Sequence, residues 1–275
     1  MRDTEFASGR EQKISQPDYC WGRSPVISLL TQSPSRCMKV LVAKNAKGAP
    51  VERITDLCRV SKIPYTMVEM KILDAMTDGE NHQGVVASMS PVELISFEEA
   101  VELMPEPPHP AMAVIMDHVE DPRNMGAMIR SAEAAGAVFA AIPLRRGALP
   151  TGTVAKTSAG ASLRLPLASV GNIGNVVRKA EEAGFWTIGL DAEARTAIYD
   201  SPLPVRCIFV VGGEGAGLSR TTAKACDELL SIPMMGGTGS LNASVALSVC
   251  MFEWLRIHRK SNIRSGEDER TREKK

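Results

Sequence analysis

The sequence predicts an α/β chain whose second half is a doubly wound parallel sheet, and three observations carry that prediction. First, the runs AMAVIMDHV (111–119), VFAAIPL (138–144) and CIFVVGG (207–213) are apolar without polar alternation, as expected of strands covered on both faces. Second, helical patterns lie between them, and two of these, 124–136 and 174–184, close on Gly136 and Gly184, where a left-handed C-terminal cap belongs. Third, glycine-containing loops come at the ends of strand runs at 117–136, 209–219 and 231–248, the carboxyl ends at which open parallel sheets hold ligands.

Taken in order, residues 1–16 are polar and are expected to form a flexible N-terminus. A small α/β domain is expected over 17–95, with strands at 37–44, 63–69 and 82–90 and helices at 51–62 and 71–78. The stretch SFEEAVELMPEPPHP (96–110) starts as a short helix and then holds four prolines. Proline removes donors and restricts the residue before it, so this segment is expected to be a linker. The second domain is expected over 111–260, with further strands at 185–191 and 229–234. Its helices are expected at 219–230, with Ser219 as N-cap, and at 240–260. From Arg256 onward there are eight basic and four acidic side chains, and 261–275 is expected to be a charged tail.

Composition removes several classes of function. The chain has 275 residues, 44% of them hydrophobic, enough for a buried core. No apolar run reaches the ~18–20 residues that span a bilayer, and the first residues lack the apolar stretch of a secretory signal. A cytoplasmic protein with no membrane partner is therefore expected. Thirty-two basic residues balance thirty-two acidic ones, so any nucleic-acid contact must come from local patches. The six cysteines are scattered without a C-x-x-C pair and the four histidines are isolated. Neither a disulfide framework nor a protein-held metal is expected.

The familiar nucleotide signatures are missing as well. There is no G-x-x-x-x-G-K-[ST], Gly213, Gly215 and Gly217 do not make G-x-G-x-x-G, and no G-x-S-x-G elbow occurs. What is present is N-x-G-x-x-x-R at Asn124, Gly126 and Arg130, G-x-E-G-x-G at Gly212–Gly217, and I-P-M…S-L-N-x-S-V-A from Ile232 to Ala246. In this order and spacing they resemble the three motifs of the SpoU (TrmH-like) RNA ribose 2′-O-methyltransferases, over about 111–258. The first half resembles that family's small L30e-like substrate-binding domain, with HQGVVA (82–87) similar to its closing strand. This layout is similar to that of the bacterial members that methylate a guanosine of 23S rRNA.

The resemblance implies S-adenosylmethionine (AdoMet) as methyl donor, a ribose 2′-hydroxyl as acceptor, a C-terminal trefoil knot, RNA as partner and a homodimer. No metal is implied. Periodicity and spacing say nothing of a knot, which general chain topology disfavours.

The same resemblance gives Asn124, Arg130, Glu214, Ser240 and Asn242 as catalytic. It places the donor at Gly189, Leu190, Gly212, Gly213, Glu214, Gly215, Ile232, Met234 and Leu241. Read as residues alone, the glycines allow close backbone approach, Ser240 or Asn242 fits a helix cap, and Ile232 and Leu241 fit a core equally well. Arginine is always charged and a poor base, so Arg130 is expected to hold the acceptor phosphate or a developing alkoxide. RNA contacts are expected at Arg36, Lys39, Lys44 and Lys47 in the first domain, and at Arg123, Arg145 and Arg146 beside the motif loops. A tRNA substrate, or RNA binding without catalysis in ribosome assembly, are the alternative readings. A nicotinamide-dependent oxidoreductase is disfavoured by the missing fingerprint.

Overall fold

The computed structural model describes residues 18–144, 147–215 and 217–272. The expected flexible segment 1–16 lies outside the described residues, as do Arg145 and Arg146.

The first half forms a four-stranded sheet from β1 (Asp18–Trp21), β2 (Cys37–Ala43), β3 (Tyr65–Val68) and β4 (Val85–Met89), in the order β1-β4-β2-β3. β2 runs parallel to β3 and antiparallel to β4. Helices α1 (Arg23–Gln32), α2 (Ala49–Val60) and α3 (Met70–Met76) complete it. Residues Val40, Val42, Ile54, Cys58, Val85 and Met89 share one core with Val26 and Leu29 of α1.

The segment expected to be a linker does more than connect. β5 (Ile95–Ser96) is the edge strand of the second sheet, beside β8 (Leu167–Val170). α4 (Phe97–Glu102) starts with a full capping box between Ser96 and Glu99. It buries Phe97 and Ala100 against the sheet, with the Phe97 and Phe139 rings edge to face at 5.8 Å. Only the stretch 103–110 is the proline-rich connection expected of the whole segment, because Ser96 and the two glutamates after Phe97 nucleate a helix before the prolines begin.

The second sheet has eight strands in the order β10-β12-β9-β11-β6-β7-β8-β5, and each neighbouring pair runs parallel. Its remaining strands are β6 (Ala111–Asp117), β7 (Ala140–Pro143), β9 (Trp186–Leu190), β10 (Thr196–Ala197), β11 (Arg206–Gly212) and β12 (Glu228–Ser231). Its other helices are α5 (Pro122–Ala134), α6 (Gly152–Thr157), α7 (Ile173–Glu182), α8 (Arg220–Ala225) and α9 (Ala243–Arg272). Strand alternation divides the core. Met112, Val114 and Met116 of β6 pack with α5 and α9 on one face, while Ala113 and Ile115 pack with α4 and α7 on the other. Both faces of the sheet are covered, which is the doubly wound arrangement. Ser219 caps α8 through its side chain, which accepts the Thr222 N–H.

Two boundaries differ from expectation. The helix pattern read at 219–230 stops at Ala225, and Glu228–Ser231 is already strand β12. The last helix begins at Ala243 and continues to Arg272, through most of the expected tail. Glu, Arg and Lys in that stretch are good helix formers and no proline interrupts them.

The halves are docked tightly. Ala155 and Leu163 of the second half belong to the first domain's core. A Cβ on Gly152 would lie 1.5 Å from the Tyr19 carbonyl oxygen. Arg123 pairs with Glu80 at 3.1 Å, Lys156 Nζ donates to the Asn81 carbonyl at 2.6 Å, and Arg164 donates to Ser28 Oγ at 2.9 Å. No described helix is long and apolar enough to cross a membrane.

Candidate active site

The ends of β9, β11 and β12 and the start of α9 enclose a cavity of about 640 Å³. Parallel strands put all their carboxyl ends on one edge, so loops distant in sequence converge there. The glycine loop after β11 turns back on itself: the Gly217 N–H donates to Gly213 O at 3.1 Å. A Cβ on Gly212 would sit 2.0 Å from the Gly217 carbonyl, so no side chain fits. Gly215 and Gly217 hold φ of +76° and +61°, the left-handed region that glycine enters without penalty.

Of the residues expected at the donor, Leu190, Gly212, Gly213, Glu214, Gly215, Ile232, Met234 and Leu241 all line this cavity. Gly189 does not. Along β9 its neighbours Ile188 and Leu190 face the α9 side, so Gly189 faces the other, where Leu229 and Leu218 close over it. Asp191, Glu193 and the buried Cys250 also line the cavity. Nothing in a motif marks them; the carboxyl end of β9 is the available signal for Asp191 and Glu193, and Cys250 lies two turns into α9 with no signal of its own.

Of the residues expected to be catalytic, Ser240, Asn242 and Glu214 line the same cavity. Asn242 joins the motifs: its Nδ2 donates to Asn124 Oδ1 at 3.1 Å and to Glu214 Oε1. Its Oδ1 accepts the Ser244 N–H at 2.9 Å, so Asn242, not Ser240, caps α9. Gly126 has a packing role, since a Cβ there would meet Thr157 Oγ1 of α6 at 1.9 Å.

Arg130 is not at the cavity. Six residues beyond Asn124, it lies about 9 Å further along α5 and on a different side of the helix. It is exposed and makes no hydrogen bond or ion pair among the described residues.

The residues expected to meet RNA divide. Lys39 is exposed, but Lys44 pairs with Glu69 at 2.7 Å and Arg123 with Glu80. Arg36 is half-buried and donates to the Ser90 carbonyl at 2.9 Å; burial lowers its pKa. It ties the start of β2 to the end of β4 and is not a free surface cation. A second, shallower cleft of about 850 Å³ lies in the first domain, lined by Arg23, Asn45, Lys47, Asn81 and Gln83 among others. Only Lys47 of these was marked by the sequence. Among the described residues no cluster of three or more His, Cys, Asp or Glu gathers as a metal would need.

Comparison with known proteins places the chain in a family. Residues 111–252 match the model of the SpoU rRNA Methylase family. Residues 19–94 match the RNA 2′-O ribose methyltransferase substrate binding domain. The chain is 34% identical over 246 residues to the 23S rRNA (guanosine-2′-O-)-methyltransferase RlmB of Pseudomonas putida, covering 88% of this chain and 98% of that protein. It is 35% identical over 240 residues to the enzyme of the same name from Haemophilus influenzae, covering 87% and 97%. The fold superposes on the AdoMet complex of the SpoU methyltransferase AviRb from Streptomyces viridochromogenes. That match has a TM-score of 0.70 at 23% identity, covering 86% of this chain and 89% of that one.

Proposed function

The chain belongs to the SpoU rRNA methylase family, and from that premise we propose that it methylates the 2′-hydroxyl of a guanosine ribose in 23S rRNA, with AdoMet as donor. The observation that carries the reading is the single cavity in which the second and third motifs meet and to which Asn242 ties the first. Coverage of nearly the full length of the RlmB proteins, small first domain included, favours rRNA over tRNA.

The cavity fits the donor. Its volume suits a molecule of that size, and its wall combines apolar side chains with backbone groups of the glycine loop. When bound, AdoMet would supply an electrophilic sulfonium methyl to the ribose 2′-oxygen, the sulfur keeping the electron pair of the broken carbon–sulfur bond and the hydroxyl proton passing to solvent water. Leu190, Gly212, Ile232, Met234 and Leu241 hold adenine and ribose. Asn124, Asn242 and Glu214 form a connected polar group at the open side, where they orient the acceptor hydroxyl. Holding oxygen, carbon and sulfur in line supplies much of the acceleration. Arg130, exposed on α5, meets the RNA phosphate and not the donor.

In this reading the first domain carries the substrate RNA in the cleft edged by Arg23 and Lys47, and the docked interface holds it at a fixed distance from the cavity. The trefoil knot and an L30e-like first domain follow from the family. A homodimer is supported by Val245 and Phe252, seven residues apart on one side of α9 and 47% and 46% exposed.

The test is transfer of labelled methyl from AdoMet to unmodified rRNA and tRNA pools, with alkali-resistant sites mapped afterwards. Label in 23S rRNA that vanishes with Asn242→Ala is expected. Label confined to tRNA overturns the substrate, and no label despite RNA and donor binding overturns the activity.

A further inference from the structure

The wall of the donor cavity is unbalanced in charge. Among the described residues it carries three carboxylates, Asp191, Glu193 and Glu214, and no lysine, arginine or histidine, in a protein whose formal charge is zero. Glu214 is bound to Asn242. The other two sit together on the turn after β9. Asp191 is held there from both sides: its N–H donates to Leu230 O at 3.1 Å, and its Oδ1 accepts the Glu193 N–H at 2.9 Å. Glu193 is exposed, and its carboxylate has no hydrogen bond or ion pair among the described residues.

We propose that Asp191 and Glu193 make this a charge-selective donor site, favouring the cationic sulfonium donor over the neutral thioether product. The proposal rests on the donor reading of the cavity. AdoMet and its product S-adenosylhomocysteine share adenine, ribose, an α-ammonium and an α-carboxylate, and differ by one methyl and the sulfonium charge. Fixed carboxylates act through space on every charge in the ligand. Their effect on the shared ammonium and carboxylate cancels when the two ligands are compared, so only their attraction to sulfonium remains. Once the methyl leaves, the electron pair on sulfur removes that charge. The wall that drew the donor in then has less hold on what is left.

The experiment is calorimetric titration of the full chain with AdoMet and, separately, with S-adenosylhomocysteine. The proteins compared are the wild type, Glu193→Gln, Glu193→Asp and the double variant Asp191→Asn with Glu193→Gln. Glu193 is exposed, so its substitution carries no folding burden, and Asn at 191 keeps an oxygen for the Glu193 N–H. The double variant is expected to lower the ratio of product Kd to donor Kd by about three- to tenfold, the scale of two partly screened charge pairs. Glu193→Gln lowers it by part of that, and Glu193→Asp keeps it near wild type. Raising salt lowers the wild-type ratio in the same direction. Equal weakening of both ligands overturns the proposal, because the carboxylates would then serve only the ammonium that both carry. An unchanged ratio with unchanged affinities overturns it too. If the wild type binds neither ligand, the donor reading itself falls, a result distinguishable from both.

Discussion

The carboxylate of Asp117, at the end of β6, accepts the backbone N–H of Ser219 at 3.1 Å across 102 residues of sequence. Asp117 is wholly buried and also takes the His118 ring, while the His118 carbonyl presses against Gly213 so closely that a Cβ there would come within 2.5 Å. The central strand therefore grips the glycine loop at both ends. Asp117→Ala leaves the Ser219 N–H without its partner, which costs about 1–3 kcal/mol. Thermal unfolding is expected to fall by several degrees, and calorimetry to show weaker AdoMet binding. Unchanged donor affinity would mean that the loop holds its shape without this anchor.

Asn242 has two separable roles, a cap and a junction. Asn242→Ala removes both and is expected to cost about 0.5–2 kcal/mol of stability through the lost cap. The loss in kcat is expected to exceed about a hundredfold, because the acceptor group loses its alignment. Asn242→Ser keeps a capping oxygen without an amide to donate to Asn124 and Glu214. It is expected to recover the stability and not the rate, a pattern read by melting curves beside single-turnover kinetics.

What the sequence made legible depends on how much signal each element carries. β6 is an apolar run up to Asp117, β11 is one after Arg206, β2 is interrupted only by Lys39 and β9 only by Thr187 and Gly189; with the loop after β11 written in glycines, these elements and the cavity they edge were readable. The segment 147–170 was not: α6 and β8 have six and four residues, too few for a period to emerge among Ala, Gly, Ser and Thr. β1 and α1 were missed for a similar reason, since Pro25 sits inside the first turn of α1. Asp117 gave a faint sign, a lone charge ending an apolar strand, but its partner is fixed only by the fold. Arg130 comes from the resemblance alone: it is exposed on α5, outside the lining of the donor cavity, a place that suits contact with the acceptor and not with the donor.

The pair Arg164–Glu133, 2.7 Å apart and about one-third exposed on each side, links the turn behind α6 to α5. The hydrogen bond from Arg164 lowers the Glu133 pKa below its ordinary value. A carboxylate with a depressed folded pKa contributes stability that is present above its unfolded pKa, about 4.3, and is lost as pH falls through the folded value. Screening at this exposure limits the contribution to about 1 kcal/mol or less. Glu133→Gln is therefore expected to lower stability slightly at pH 7 and to make it less steep in pH below about 4.5, as measured by denaturant unfolding. An identical pH slope in the two proteins would show that the pair contributes nothing.

Docking of the two domains hangs on the lack of a side chain at residue 152. Any Cβ there meets the Tyr19 carbonyl at 1.5 Å, and backbone cannot give way as a flexible side chain can. Gly152→Ala is expected to push α6 away from β1 and expose the shared packing of Ala155 and Leu163. The loss is about 1–3 kcal/mol by the usual cost of overpacking. Small-angle scattering should register a larger radius of gyration, and rRNA methylation should fall while AdoMet affinity stays near wild type. A fall in donor affinity of the same size would show that the strain travels through the sheet to the cavity.

The six thiols are dispersed through the packing, and five of them are buried. Burial pushes Cys20, Cys37 and Cys250 up to about 12, and Cys58 up to about 11. Half-buried Cys226 is also held at about 12, by burial first and by the nearby charges of Asp227 and Asp117. The nucleophile in thiol chemistry is the thiolate, so at pH 8 little of any of these is reactive in the native state. A disulfide reagent is expected to titrate almost nothing in the folded protein and all six cysteines after denaturation. Because Cys250 lines the donor cavity, any slow native labelling there should be suppressed by saturating AdoMet. Rapid labelling that the donor leaves unaffected would place the reactive thiol elsewhere and show a looser core around it.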